Sequence, residues 1–142
     1  MDEIEIRSAR HEDIENVTDF VYRALNDSEL LPVFAQDVGE DFKVRLQQEN
    51  TIILAVEKES ETIVGFVEYD PKRSNEKADY LCGLYVLPNY RGVGVGKRLV
   101  NTMRDQRRAM GKQLRVEAIN DKEKNLWQKF GFGIHHYSLF ME

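Results

Sequence analysis

Apolar and polar residues alternate in "IEIRSAR" near the start of the chain, with the period of two that a half-buried strand requires. The next stretch, "HEDIENVTDFVYRAL", changes to a helical period, with Ile14, Val17, Phe20, Val21 and Leu25 on one stripe. A second amphipathic helix is predicted over roughly Asp37 to Gln48. "TIILAVE" and "TIVGFVEYD", separated by the polar "KESE", predict a hairpin, and "ADYLCGLYVL" a further strand stopped by Pro88. Leu99, Val100, Met103 and Met110 then form the apolar side of a helix, with Gly111 as its C-cap. "QLRVEAI" predicts a strand, "DKEKNLWQKF" a short helix and "GIHHYSLF" a final strand. No repeat, low-complexity tract or linker interrupts this order, so one domain is expected over residues 1–142.

The 142 residues, 42% hydrophobic and 32% charged, suffice for a real core. No run approaches the roughly 18 apolar residues of a membrane span, and "MDEIEIRSAR" is acidic where a signal peptide is basic and then apolar. A cytoplasmic protein with no membrane partner is expected. The single cysteine, Cys82, has no internal disulfide partner and lies in an apolar run, which favours a small core residue over a nucleophile.

Charge is distributed unevenly. Between Arg91 and Arg115 eight basic residues face one acid, Asp105, giving +7 in a chain of net charge −5, so the remainder carries −12. That split suggests an anionic ligand at one edge. Nucleic acid is not the expected partner, because the basic block is confined to one segment without aromatic interleaving.

The block begins in "LYVLPNYRGVGVGKRLV", where a strand runs through a glycine turn into a helix. A helix N-terminus presents unpaired backbone N–H groups and a partial positive charge to a phosphate. Glycines let the backbone approach the anion, and an arginine adds a charge-assisted fork. A P-loop does not fit: three residues separate Gly92 from Gly96, and Arg98 stands where Ser or Thr is needed. The dinucleotide fingerprint fails as well, with Lys97 in the place of its third glycine. Arg/Gln-x-x-Gly-x-Gly/Ala is matched by Arg91, Gly94 and Gly96.

With that loop, the sequence resembles the GNAT superfamily of N-acetyltransferases. "NDKEKNLWQKFGF" is similar to a second family signature, matched in register by Asn120, Leu126, Gly131 and Phe132, and the order of elements fits essentially the whole chain. The resemblance implies an α/β (α+β) fold of the acetyl-CoA N-acyltransferase type. Its mixed, mostly antiparallel sheet would be flanked by helices and splayed open between the strands at Leu81 to Val86 and Leu114 to Ala118.

It also implies acetyl-CoA as cosubstrate and an N-acetyltransferase acting by direct attack of a primary amine of a small molecule or peptide. Backbone groups of Leu84, Tyr85 and Val86 would pair with the pantetheine arm and polarise the thioester. Arg91, Gly92, Val93, Gly94, Val95, Gly96 and Lys97 would take the pyrophosphate, and Asn120 would contact the pantetheine chain unless it only caps the following helix. Trp127 stands where the family usually carries a tyrosine acid, and is expected beside the CoA sulfur as a hydrogen-bond donor rather than an acid. That departure keeps a second class open, a CoA-binding sensor or regulatory module with weak or no catalysis.

Glu117, Glu68 and Asp79 are the candidate bases. His135 and His136 are adjacent and point to opposite strand faces, so they do not jointly suit a metal, and no Cys/His cluster has metal spacing. Six acids and two bases between Asn26 and Asn50, where the family walls its acceptor site, favour a cationic amine; Leu30, Leu31, Val33 and Phe34 would line an apolar pocket or the core. A homodimer remains open.

Overall fold

The computed structural model describes residues 3–24, 31–32, 51–118 and 120–133. The predicted helix from Asp37 to Gln48, the final strand with His135 and His136, and the acidic segment before Asn50 lie outside the described residues, apart from the backbone of Leu31 and Pro32.

Among the described residues six strands form one sheet: β1 (Ile4–Ser8), β2 (Leu31–Pro32), β3 (Ile52–Glu57), β4 (Thr62–Asp70), β5 (Ala78–Val86) and β6 (Gln113–Arg115). Their order is β1-β3-β4-β5-β2, with β6 on the same outer edge of β5 as β2. All pairs are antiparallel except β5 with β6. Three α-helices are described: α1 (Ile14–Ala24), α2 (Val95–Ala109) and α3 (Asp121–Lys129).

Helices cover both faces of the sheet, which is why β3, β4 and β5 read as nearly continuous apolar runs. On one face Val17, Phe20 and Val21 of α1 pack on Ile52, Leu54 and Phe66; on the other, Leu99, Val100 and Met103 of α2 pack on Ile53, Val67 and Leu84. Met110, predicted on the apolar side of α2, is 62% exposed. It follows the helical span, where the chain leaves helical periodicity.

Both α2 and α3 end in the same way. Gly111 has φ +76°, its N–H donates to Arg108 O, and the Lys112 N–H reaches Arg107 O. After α3, Gly131 has φ +98°, its N–H donates to Gln128 O, and the Phe132 N–H reaches Trp127 O at 3.2 Å. These are Schellman caps, and the apolar contact that accompanies them is present in α3, where the Phe132 and Trp127 rings lie 5.8 Å apart. The "GF" pair of the second signature is therefore a helix stop.

The parallel pairing of β5 with β6 is short: only Ala78, Asp79 and Tyr80 face Gln113, Leu114 and Arg115. Residues 116–118 carry no strand pairing, so the sheet opens past Arg115. The opening is the expected one, but β6 is shorter than the predicted Leu114–Ala118 strand: once the two chains diverge, no ladder holds Val116 to Ala118. The closed end is fixed by charge. Asp79, fully buried, accepts from Arg107 Nη1 at 3.1 Å, from Lys112 Nζ at 3.2 Å and from the Ser74 hydroxyl. Arg107, 2% exposed, also lies over the Tyr69 ring at 4.6 Å.

Candidate active site

Just past Val86 the chain turns through a 3-10 segment, Pro88–Tyr90, into the glycine loop. Gly92 and Gly94 have φ of +79° and +91°, a region that side chains rarely adopt, and a Cβ at either would meet nothing within 4 Å among the described residues, so backbone conformation is what demands glycine there. Gly94 is the N-cap of α2 and offers no capping side chain. The first turn of α2 contains no acid and begins Val95-Gly96-Lys97, so its N–H groups and a cation against its own dipole await an anion.

Gly96 has a different reason. A Cβ there would lie 3.3 Å from Cε1 of Phe130, so its absence lets the end of α3 rest on the first turn of α2. Between them and β5 is an open cavity of about 330 Å³. Leu84, Tyr85 and Val86 form its strand wall; Arg91, Gly92, Gly94, Val95, Gly96 and Lys97 form its loop wall; Lys129 and Phe130 close it from α3. Tyr90 also lines it. Among the described residues the wall carries three cations and no acid.

Local bonds hold the loop. Arg91 Nε donates to Val86 O at 2.7 Å, and the guanidinium carbon stands 5.3 Å from the centre of the Tyr85 ring. The Tyr90 hydroxyl donates to Glu57 at 2.6 Å, while the Ser60 hydroxyl donates to the other carboxylate oxygen at 2.8 Å. These two donors, Tyr90 foremost, hold the Glu57 carboxyl below the usual range, and the same bond raises the Tyr90 hydroxyl. The turn before the loop is thus tied to the β3–β4 hairpin.

Other predicted site residues lie elsewhere. Val93 is 50% exposed and is not part of the cavity wall. Asn120 caps α3, its side-chain oxygen accepting from Glu123 N at 2.9 Å, and does not line the cavity. Trp127, expected beside the CoA sulfur, lies in the core, 3% exposed and packed on Phe130 and Phe132, and is not among the residues of the cavity wall. Its buried Nε1 has no hydrogen-bond partner among the described residues.

The three candidate bases separate clearly. Asp79 is taken up by its cations, five residues before the cavity wall begins at Leu84, which is about 16 Å along a strand. Glu117 lies past the end of β6, not within a strand as predicted, and accepts from Arg73 Nη1 at 2.6 Å. Glu68, 1% exposed, stands opposite Gly83, where a Cβ would be 4.0 Å from its Oε1. It shares the α1 side of the sheet with Phe66, and the backbone of Pro32 in β2 pairs with Gly83 from the other edge. Among the three, Glu68 alone is next to the strand wall of the cavity.

Among the described residues no group of His, Cys, Asp and Glu is placed to hold a metal, and no helix is long and apolar enough to cross a membrane. Cys82 is buried, as expected of a core residue.

Residues 14–132 match the model of the acetyltransferase (GNAT) family. The chain belongs to that family. Solved structures similar to this GNAT chain include an aminoglycoside N-acetyltransferase in complex with CoA, with TM-score 0.66 and 18% identity over 94% of this chain and 90% of that one. A GNAT acetyltransferase from Streptococcus pneumoniae gives 0.67 and 22% over 94% and 87%. An Arabidopsis thaliana protein bound to the bisubstrate analogue CoA-Ac-MVNAL gives 0.64 and 21% over 94% and 85%. At these identities the likeness is one of fold. No curated protein matches the chain by sequence.

Sequence reasoning did not find Tyr90, Lys129 or Phe130. Tyr90 sits beside Arg91 in "PNYRG" and was available as a neighbour; Lys129 and Phe130 are brought to the cavity only by the packing of α3 on Gly96.

Proposed function

We propose that the protein is an acetyl-CoA-dependent N-acetyltransferase whose acceptor is the primary amine of a small molecule or peptide. The observation that carries this reading is the cavity between β5 and the glycine loop, whose wall among the described residues holds three cations and no acid. Its donors suit a diphosphate: the backbone at Gly92, Gly94 and Val95 and the side chains of Arg91 and Lys97. The apolar wall of Leu84 and Val86 suits the pantetheine arm, which would run along β5 beyond its pairing with β2. The bound cosubstrate supplies an activated acetyl group and a thiol leaving group.

In this reading the β5 backbone orients the thioester carbonyl, and Glu68 on the α1 side receives the proton as the amine nitrogen bonds to the acetyl carbon. The carbon–sulfur bond breaks, and its electron pair leaves with the thiolate. Among the relatives, one acts on an aminoglycoside and one holds a peptide-bearing analogue. The net −4 between Asn26 and Asn50 supports a cationic acceptor. A CoA-binding module without turnover is the second reading, favoured by Trp127 at the acid position.

A panel of cationic, neutral and anionic amines assayed for CoA thiol release tests activity and acceptor class together. Release with a cationic amine, weakening as salt rises toward a Debye length of about 8 Å, is expected. Glu68→Gln should lower kcat/KM with CoA affinity unchanged, and Arg91→Ala should weaken CoA in a calorimetric titration by about 1.5–3 kcal/mol. CoA binding without release for any amine would leave the sensor module; an unchanged CoA affinity in Arg91→Ala would remove the loop from the site.

A further inference from the structure

Tyr90 lines the cavity, yet its hydroxyl is held at 2.6 Å by Glu57, a carboxylate that is not part of the cavity wall and lies 33 positions earlier in the chain. By charge alone a carboxylate near an anion site weakens it. Glu57 is nonetheless firmly placed. It ends β3, opposite Ile4 of β1 on one side and Thr62 of β4 on the other, and the Ser60 hydroxyl holds its second oxygen at 2.8 Å.

Packing does little to hold the glycine loop itself. A Cβ at Gly92 or Gly94 would meet nothing within 4 Å among the described residues, and Val93 is half exposed. Glycines also lose more conformational freedom on ordering than other residues do. Arg91 supplies a local bond, Nε to Val86 O. The turn that leads into the loop is hung from the β3–β4 hairpin at two points. The Leu87 N–H donates to Val64 O at 2.8 Å, and Tyr90, whose ring rests on the core, reaches Glu57 with its hydroxyl. Arg91 and Gly92 follow directly.

We propose that Glu57 is a positioning residue for the anion site: acting through the Tyr90 hydroxyl, it holds the glycine loop in the conformation that receives the diphosphate of CoA. A loop already in place need not be ordered when the ligand arrives, and apparent affinity rises with the fraction of molecules that are competent to bind. This rests on the acetyl-CoA reading above. Charge and tether predict opposite signs. Removing a carboxylate that acts by charge tightens CoA, whereas removing one that acts as a tether weakens it.

The test is calorimetric titration of the full chain with CoA, for the parent, Glu57→Ala, Glu57→Gln, Tyr90→Phe and the double variant of Glu57→Ala with Tyr90→Phe, with urea denaturation of each. Glu57→Ala and Tyr90→Phe should each weaken CoA roughly twofold to fivefold, the scale of one exposed interaction with a charged group, at denaturation midpoints close to the parent's. Tyr90→Phe takes away one oxygen and leaves the ring on the core, so it carries the comparison without disturbing the hairpin. The double variant should be no weaker than either single one, because both break the same bond. Glu57→Gln removes the charge but keeps an acceptor for the hydroxyl, and should recover part of the loss. Affinity that is unchanged or tighter in Glu57→Ala, or losses that add in the double variant, overturns the positioning role, while binding by the parent leaves the acetyl-CoA reading standing. A folded parent that does not bind CoA overturns both.

Discussion

Gly96 and Phe130 are in direct contact: any side chain at position 96 would begin 3.3 Å from the edge of the Phe130 ring. The contact seats α3 on the start of α2 and so fixes the mouth of the cavity. Gly96 is thus a packing glycine, unlike Gly92 and Gly94, whose positive φ makes them conformational ones.

Gly96→Val should therefore push α3 off α2. An overpacking cost of about 1–3 kcal/mol is expected in urea denaturation, together with weaker CoA binding. Phe130→Ala in the same chain should recover part of the stability, because the two residues are in contact and their effects are not additive. Additive losses in the double variant would show that the contact is not the source of the cost.

Trp127→Phe separates packing from proton donation. The indole is 3% exposed between Phe130 and Phe132, and its Nε1 donates no hydrogen bond among the described residues. The smaller ring should cost roughly 1–3 kcal/mol of stability while a substantial part of kcat survives in folded protein. A kcat lower by several orders of magnitude at unchanged KM would instead make Trp127 a donor to the departing sulfur. Trp127→Tyr, which restores the residue usual in the family, raises kcat only if thiolate departure limits the rate.

The stripes of α1 and α2 and the β3–β4 hairpin were legible because amphipathic periodicity and a polar turn write directly into sequence. The glycine loop was legible because Gly92 and Gly94 answer a backbone demand. The end of β6 was not, since Leu114-Arg115-Val116 keeps a strand-like pattern after its partner β5 has diverged. Glu68 and Asp79 stood out as carboxylates inside apolar runs, and sequence treated them alike. Their fates depend on residues far along the chain: Arg107 and Lys112 neutralise Asp79, whereas Gly83 gives Glu68 room above β5. Lys129 was missed for the same reason, because a lysine at a helix end carries no local mark of the cavity it faces.

Asp79→Ala removes the carboxylate that pairs with the Arg107 guanidinium, which is 2% exposed. Leaving Arg107 buried and uncompensated should cost about 3–5 kcal/mol, a large part of the 5–15 kcal/mol typical of a domain. The loss should show as a lower denaturation midpoint, and replacing Arg107 by Met in the same chain should recover much of it. Activity per folded molecule should change little; a large loss of kcat in the stable double variant would return Asp79 to the list of bases.

Asp13 offers a pH test of the fold, independent of the cavity. Arg7 grips its carboxylate with two bonds of 2.7 and 3.0 Å, and the Arg10 N–H adds a third at 2.7 Å. The Arg7 hydrogen bonds, foremost, hold the Asp13 carboxyl below its ordinary range. A lowered folded-state pKa means that the unfolded chain binds the proton more readily, so the stabilisation is present above the unfolded pKa and is lost as pH falls through the folded one. Asp13→Asn should cost about 1 kcal/mol at neutral pH, a modest figure because the pair is partly exposed, at 19% and 13%. The gap between parent and variant, followed by urea denaturation, should hold from neutrality down to the ordinary aspartate range and close below it. A gap that stays constant through that range would place the stabilisation in the shape of the turn between β1 and α1 rather than in the charge of Asp13.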